Sequence, residues 1–274
     1  MSAASPILLL GAQGQLGWQL QRDLAPLGPL LAVDRRRCDL GNLDQVRSLV
    51  REVKPRLIVN AAAYTAVDQA EQEPDLARRI NAEAVGLLAE EAKALDALLV
   101  HYSTDYVFDG SKTAPYGEGD LTHPLSVYGR TKREGEEAIA AVAGRALIFR
   151  TSWVFGARGK NFVKTILRLA SERDSLKVVA DQIGSPTPAA MIATVTGMVL
   201  AQLGGGREQQ GCDTYHLAAA NPVSWNGFAR AIVATAQATP GFALKLGPAA
   251  IAPIPSSDYP LPAPRPLNSR LDCR

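Results

Sequence analysis

The sequence predicts an α/β protein with a doubly wound parallel sheet and a smaller C-terminal lobe. Short apolar runs of strand length alternate with longer amphipathic runs through roughly the first 150 residues. A glycine triplet separates the first apolar run from the first amphipathic run. Proline becomes frequent only beyond residue 241. We therefore divide the chain into a first domain, 1–152, and a second part, 153–274, from which the chain can return to the first.

Seven apolar runs are interpreted as strands, at residues 6–10, 30–34, 57–63, 97–104, 146–152, 177–180 and 214–218. Helices are predicted at about residues 15–25, 43–52, 73–95, 128–141 and 188–203. Alternation of this kind requires a parallel sheet with right-handed crossovers. Residues 203–211, LGGGREQQG, are expected to form a flexible surface loop, and the proline-rich end an ordered segment that wraps around the protein.

Composition and charge argue against several classes of protein. The net charge of +2 over 274 residues gives no reason to expect nucleic acid or membrane as a partner. The three cysteines are dispersed, which argues against a disulfide framework or a zinc site and fits a reducing compartment. No run approaches the roughly 20 apolar residues of a membrane helix, and the first residues lack the basic start of a signal peptide. We expect a cytoplasmic protein.

The glycine triplet consists of Gly11, Gly14 and Gly17 in LLLGAQGQLGWQL. The first glycine allows a tight turn, the second lets the backbone approach a pyrophosphate, and the third lets the helix pack closely on the strand. Because the triplet lies between a buried strand and a helix, it indicates a Rossmann-type dinucleotide-binding domain.

The residues that follow the second predicted strand bear on which dinucleotide binds. Asp34 lies about 20 residues beyond the glycines, where an acid binds the adenine-ribose hydroxyls of NAD. Arg35, Arg36 and Arg37 follow at once, and an arginine there accommodates the 2′-phosphate of NADP. These residues leave NADH and NADPH both open.

A phenol and an ammonium lie four residues apart in SVYGRTKREGE, at Tyr128 and Lys132, and therefore on one helix face. A nearby cation lowers the pKa of a phenol, which is otherwise about 10. Ser103, Thr104 and Asp105 end the fourth predicted strand, where open parallel sheets bind ligands. A hydroxyl, a phenol and a lysine around one nicotinamide are typical of a carbonyl-reducing site.

These motifs resemble the extended short-chain dehydrogenase/reductase superfamily, and longer strings resemble the family of the dTDP-4-dehydrorhamnose reductases. The strings are GAQGQLGWQL, NAAAYTAVDQAE, HYSTDYVFDG, VYGRTKREGE, FRTSWVFG, NFVKTILRLA, DQIGSPT and RPLNSRLD. They run in order from residue 11 to 272, so the resemblance covers essentially the whole chain. It implies reduction of the C4 keto group of dTDP-4-dehydro-L-rhamnose with NADPH, with NADH as a possible substitute.

The resemblance implies that Tyr128 is the acid and that Lys132 and Thr104 complete the catalytic set. Together with the glycine triplet and the arginine run, it predicts dinucleotide contacts for Gly11, Gly14, Gln15, Leu16, Gly17, Asp34, Arg35, Asp39, Leu40, Ala63, Tyr64, Thr65, Tyr102, Tyr128 and Lys132. It implies sugar-nucleotide contacts for Thr104, Asp105 and Trp153, whose apolar face suits a deoxysugar or a base. Arg265 and Arg270 are predicted to contact the substrate's pyrophosphate, because a guanidinium matches phosphate oxygens.

Two departures from the family, together with the three histidines, bear on metal binding and on assembly. Some members dimerise through magnesium held by acids on the first helix and on the helix after the DQ-G-PT string. Here those helices read GQLGWQLQ and TPAAMIATV without an acid, so we predict no metal and a monomer or weak homodimer. His101, His123 and His216 are predicted to be structural, because no ligand spacing accompanies them. Members usually continue beyond NSRLD into a further helix, whereas two residues follow that string here.

Rival functions on the same fold remain as alternatives. A nucleotide-sugar dehydratase needs a second carboxylate after the catalytic threonine, whereas Asp105 is followed by Tyr106. An epimerase usually holds NAD tightly, whereas the arginine run suits an exchangeable NADPH. A non-catalytic NADP-binding regulatory subunit shares the fold, and the intact set of Thr104, Tyr128, Lys132 and Trp153 favours an enzyme over it.

Overall fold

The computed structural model describes residues 5–204 and 209–274. Its strands are β1 (Ile7–Leu10), β2 (Leu30–Val33), β3 (Leu57–Asn60), β4 (Leu98–Thr104), β5 (Ala146–Thr151), β6 (Val154–Phe155), β7 (Leu176–Val179), β8 (Ile183–Gly184), β9 (Thr187–Pro188), β10 (Cys212–His216), β11 (Val223–Ser224) and β12 (Ile251–Ile254). Its α-helices are α1 (Gln15–Leu24), α2 (Leu43–Val53), α3 (Val67–Ala70), α4 (Pro74–Arg78), α5 (Ala84–Ala94), α6 (Val127–Val142), α7 (Phe162–Glu172), α8 (Ala189–Gly204) and α9 (Trp225–Gln237).

A six-stranded parallel sheet in the order β2-β1-β3-β4-β5-β10 forms the centre of the molecule. Alternate residues of β1 point to opposite faces, so Leu8 and Leu10 pack with α2 and α5, whereas Ile7 and Leu9 pack with α1 and α8. The strand order reverses between β1 and β3, which opens a crevice at the carboxyl ends of the strands. The predicted α/β, doubly wound class is confirmed.

The chain beyond residue 152 contributes to two regions. Helix α8 packs on α1, and β10 is the edge strand of the main sheet beside β5. A separate hydrophobic cluster, built around Ile166, Leu176, Val233 and Ile251, joins α7, β7, α9 and β12 into the smaller C-terminal lobe. Helices α7 and α9 were not predicted from the sequence. Both begin at a side-chain cap, since Asn161 accepts from Lys164 N and Ser224 accepts from Gly227 N.

The prediction of a single helix at residues 73–95 is wrong in the middle of that range. The chain forms α4, then a π-helical segment at Arg79–Glu83, and then α5. The side chain of Asn81, inside this segment, accepts from Tyr64 N at 2.9 Å and donates to Tyr64 O at 3.1 Å. A Cβ at Gly135 of α6 would overlap the carbonyl oxygen of Asn81. These tertiary contacts account for the widened turn, a feature that often marks functional sites.

The proline-rich C-terminal segment is ordered, as the sequence predicts. Strand β12 pairs in parallel with β7. Ile183 N donates to Leu267 O and Ser269 N donates to Ile183 O, each at 2.8 Å. Of the loop predicted at 203–211, residues 205–208 lie outside the described residues. No helix within 5–204 or 209–274 is long and apolar enough to cross a membrane.

Candidate active site

A cavity of about 1050 Å³ opens at the carboxyl edge of the sheet. The turn after β1, the ends of β3 and β4, and the start of α6 line one side of it. Trp153, Trp225 and Arg265 line it from the C-terminal part of the chain. The cavity therefore lies where the topology places a ligand, between the sheet domain and the lobe.

The glycine turn is built as its spacing predicts. Gly11 has φ +82°, and a Cβ there would lie 2.8 Å from the backbone of Ala61 at the end of β3. A Cβ at Gly17 would overlap the carbonyl oxygen of Gly11, so this glycine allows α1 to pack closely on β1. Gly14 precedes α1 in extended conformation and lines the cavity, which leaves the helix N-terminus open toward it.

Most of the residues predicted to contact a dinucleotide line this one cavity: Gly14, Gln15, Leu16, Arg35, Asp39, Leu40, Ala63, Tyr64, Thr65, Tyr102, Tyr128 and Lys132. Gly11 and Gly17 belong to the turn itself, where they allow its close backbone contacts, and are not among the residues that line the cavity. Asp34 is not among the residues that line the cavity, and its carboxylate accepts from Arg36 N at 3.1 Å in the turn after β2. Arg35 and Asp39 form an ion pair at 3.1 Å at the rim.

Helix α6 presents Tyr128 on its first turn. The Ser126 side chain caps the helix by accepting from Gly129 N at 3.1 Å. A Cβ at Gly129 would overlap the Tyr106 carbonyl oxygen, so glycine brings the helix start against the turn after β4. Tyr128 and Thr104 both line the cavity. Burial raises the pKa of Tyr128 to about 12, an effect that the nearby Thr104 hydroxyl opposes.

A buried carboxyl lies next to Thr104. Thr104 Oγ1 donates to Asp105 Oδ1 at 3.0 Å, and Ser152 Oγ donates to Asp105 Oδ2 at 2.9 Å. These hydrogen bonds and the nearby Ser269 hydroxyl favour the ionised form, but burial dominates and raises the pKa of Asp105 to about 6. Thr104, Asp105 and Ser152 thus form a buried hydrogen-bonded group next to Tyr128.

Lys132 is almost completely buried at one end of the cavity. Its Nζ donates to Tyr102 O at 2.6 Å and lies 3.0 Å from His101 Nε2. Burial lowers the pKa of Lys132 to about 8, against the opposing effect of the Glu136 carboxylate. His101 was predicted to be structural, and in the structure it contacts Lys132, the lysine predicted to act on Tyr128. Strand alternation could have predicted this contact, because His101 lies on the same face of β4 as Leu99, which packs with α6.

Two indoles stack in the C-terminal wall of the cavity. Trp153 adopts a left-handed backbone conformation, φ 45°, and its ring lies parallel to that of Trp225 at a centroid distance of 3.4 Å. A Cβ at Gly184 would overlap the Trp153 ring. Trp153 Nε1 is buried and has no hydrogen-bond partner among the described residues. Trp225 is a cavity residue that the sequence analysis missed, because its partner is 72 positions away.

The two arginines predicted for the substrate's pyrophosphate occupy different places. Arg265 lines the cavity and forms a bidentate ion pair with Asp68. Arg270 lies outside the cavity, where its guanidinium donates to Thr113 O and to Asn268 Oδ1. The structure therefore brings Arg265, but not Arg270, to the site.

The residues present fit a dinucleotide. Ser103 Oγ and Thr151 Oγ1, on neighbouring strands, are buried, lack a hydrogen-bond partner among the described residues, and line the cavity. Unpartnered buried hydroxyls of this kind are costly unless a ligand or water satisfies them. Among the residues that the structure describes, no group of three or more His, Cys, Asp or Glu side chains is placed to hold a metal ion.

A glycine turn at the switch point of a parallel sheet, with a tyrosine and a lysine on the helix that closes the same cavity, defines an NAD(P)-binding protein of the short-chain dehydrogenase/reductase class. Comparison with known proteins identifies the family within this class. The sequence matches the family described as RmlD substrate binding domain over residues 5–274. The chain belongs to that family.

Characterised relatives and solved structures cover nearly the whole chain. A dTDP-4-dehydrorhamnose reductase of Burkholderia thailandensis is 51% identical over 97% of this chain and 89% of its own length. One from Salmonella typhimurium is 46% identical over the same shares. The crystal structure of a dTDP-4-dehydrorhamnose reductase from Bacillus anthracis in complex with NADP is 36% identical, with a TM-score of 0.87 over 99% of this chain and 91% of that one.

Proposed function

We propose that the protein reduces the C4 keto group of dTDP-4-dehydro-L-rhamnose with NADPH, in the last step of dTDP-L-rhamnose synthesis. The observation that carries the proposal is the convergence of Tyr128, Thr104 and Lys132 on one cavity that also holds the glycine turn. The relatives named above support the substrate, and the NADP in the Bacillus anthracis structure supports the cofactor. Cytoplasmic location and a monomeric or weakly dimeric state stay predictions.

Tyr128 is the proton donor in this proposal. The nicotinamide supplies a hydride to the carbonyl carbon when it is bound. The Tyr128 hydroxyl protonates the carbonyl oxygen, and the phenolate that remains needs stabilisation because burial raises the pKa of Tyr128 to about 12. The ammonium form of Lys132, one helical turn later, supplies that stabilisation.

Thr104 lies beside Tyr128 in the wall of the cavity. A hydroxyl has one proton, and Thr104 donates it to Asp105 Oδ1. The Thr104 oxygen is therefore left as an acceptor, and Tyr128 keeps the proton that the carbonyl oxygen receives. Trp153 and Trp225 offer an apolar wall suited to the deoxysugar or the thymine base.

The test is NADPH oxidation, followed by absorbance, with enzymatically made dTDP-4-dehydro-L-rhamnose. We expect turnover by the wild type and a loss of roughly 10²-fold or more in Tyr128→Phe, with NADPH binding unchanged. Near-normal turnover in the variant would remove Tyr128 from the mechanism. Absence of turnover in the wild type, with NADPH bound, would redirect the proposal to another sugar or to a binding role.

A further inference from the structure

Two buried side chains, Asn60 and His101, connect the end of β3 to the active-site lysine. Ala62 N donates to Asn60 Oδ1 at 3.2 Å, and Asn60 Nδ2 lies 3.2 Å from His101 Nδ1. His101 Nε2 in turn lies 3.0 Å from Lys132 Nζ. Asn60, His101 and Lys132 are each 1% exposed, so these groups have one another, and not bulk water, as partners.

The backbone N–H of Ala62 fixes the orientation of the Asn60 side-chain amide. An N–H group is only a donor, so the atom of Asn60 that faces Ala62 N must be the oxygen. The amide nitrogen of Asn60 therefore faces His101 Nδ1. Because that nitrogen is also only a donor, His101 Nδ1 must carry a lone pair and no proton.

The imidazole proton is thereby assigned to Nε2. Burial and the nearby Lys132 keep the pKa of His101 well below its usual value, so the ring is neutral and carries one proton. That proton points at Lys132 Nζ, which also donates to Tyr102 O. An ammonium has no lone pair with which to accept it, whereas a neutral amine has one.

We propose that His101 is a positioning residue that disfavours the ammonium form of Lys132, relative to the neutral amine, in the cofactor-free protein. To charge Lys132, the imidazole proton must move from Nε2 to Nδ1, where it faces the Asn60 amide nitrogen and a buried hydrogen bond is lost. The protonation state of the lysine is then set by a hydrogen-bonded chain that begins at the backbone. The catalytic consequence rests on the proposed function, but the protonation state does not.

The charged groups around Lys132 do not remove this constraint. Glu136, one turn later on α6, favours the ammonium form. Arg150 on β5 pairs with Glu136 at 2.7 Å, and Arg133 lies 3.8 Å from the same carboxylate, so its charge is largely compensated. Tyr128, with its pKa raised to about 12, is neutral in the relevant range. Burial lowers the pKa of Lys132 to about 8, in the same direction as the hydrogen-bond argument.

The test is a pH titration of the cofactor-free full chain with ¹³C-labelled lysine, observed by NMR. The Lys132 resonance is identified by its loss in Lys132→Met. We expect His101→Gln to raise the Lys132 midpoint by about one pH unit, because an amide oxygen accepts from an ammonium. His216→Gln is the matched control, since His216, at the end of β10, is also buried but contacts Asp272 O, and it should leave the midpoint unchanged.

A second variant acts on the other end of the chain of hydrogen bonds. Asn60→Ala keeps His101 and removes the donor that faces Nδ1, so it should also raise the Lys132 midpoint. The proposal is overturned if wild-type Lys132 titrates at the ordinary value of about 10.4, or if neither variant shifts the midpoint. The titration does not require turnover, so its result remains valid even if the protein acts on a different sugar nucleotide. Where turnover is measurable, the alkaline limb of kcat should move with the midpoint.

Discussion

Arg265 and Asp68 form two parallel hydrogen bonds that join the C-terminal segment to α3 at the rim of the cavity. Nη1 lies 2.9 Å from Oδ1, and Nη2 lies 2.7 Å from Oδ2. Ala263 N also donates to Oδ1, at 3.2 Å. The arginine bonds hold the pKa of Asp68 below its usual value. The pair fixes a guanidinium, which matches phosphate oxygens, at the wall of the cavity.

We expect Arg265→Ala to raise the KM for the sugar nucleotide about tenfold or more, because a charge-assisted hydrogen bond is lost. The Kd for NADPH should stay within twofold of the wild type. Arg270→Ala is the matched control, since its guanidinium bonds to Thr113 O and Asn268 outside the cavity. Equal effects of the two substitutions on KM would show that Arg265 acts through folding rather than through substrate.

Asp105 should make stability depend on pH with an unusual sign. Folding raises the pKa of this carboxyl from 3.8 to about 6, so the ionised form is disfavoured in the folded protein. The cost is absent below about pH 4 and is complete above about pH 6, where it amounts to about 3 kcal/mol. We expect Asp105→Asn to have a higher Tm than the wild type at pH 8, with the difference vanishing near pH 4.

The comparison for this measurement is Asp109→Asn. Hydrogen bonds from Ser111 and Tyr116 lower the pKa of Asp109, so its stabilising contribution is present at neutral pH and is lost in acid. That variant should be less stable than the wild type at pH 8. A lower Tm for Asp105→Asn at the same pH would show that the hydroxyls around Asp105 require a carboxylate more than burial penalises it.

The three arginines after β2 should differ in their effect on cofactor choice. Replacing Arg35, Arg36 and Arg37 together by serine should raise the KM for NADPH more than that for NADH. Only Arg35 of these three lines the cavity, so Arg35→Ser alone should account for most of the effect and Arg36→Ser for little. Steady-state kinetics with both cofactors measures this. Equal changes for NADPH and NADH would mean that the 2′-phosphate is bound elsewhere.

Features that depend on local pattern could be predicted from the sequence. Continuous apolar runs located the strands of the main sheet, and the glycine spacing located the turn in which Gly11 needs positive φ. The spacing of Tyr128 and Lys132 placed both on α6 at the cavity. These features are set within a few residues of one another, where periodicity and steric rules apply directly.

Features that depend on contacts between distant segments could not be predicted. The π-helical segment follows from the bonds of Asn81 to Tyr64 and from the close approach of Gly135. The contact between His101 and Lys132, which lie 31 residues apart in the chain, requires the packing of α6 on β4. Such contacts depend on how helices pack on the sheet, which one sequence does not specify residue by residue.

The position of Trp153 should depend on the absence of a side chain at Gly184. A Cβ there would overlap the indole ring, which is held on its face by Trp225 at 3.4 Å. Backbone and indole are both firmly placed, so Gly184→Ala must displace the ring. We expect the KM for the sugar nucleotide to rise by about tenfold or more, with the Kd for NADPH unchanged, because the indole wall and the glycine turn are separate parts of the cavity.

Gly119→Ala is the control for this substitution, because a Cβ at Gly119 meets nothing within 4 Å. It should leave both constants unchanged. Trp153 fluorescence, compared in a background in which Trp18 and Trp225 are both replaced by phenylalanine, reports whether the ring has moved, independently of turnover. A displaced ring with an unchanged KM would show that the sugar nucleotide does not use the indole wall, and Trp153 would then serve the packing of the lobe alone.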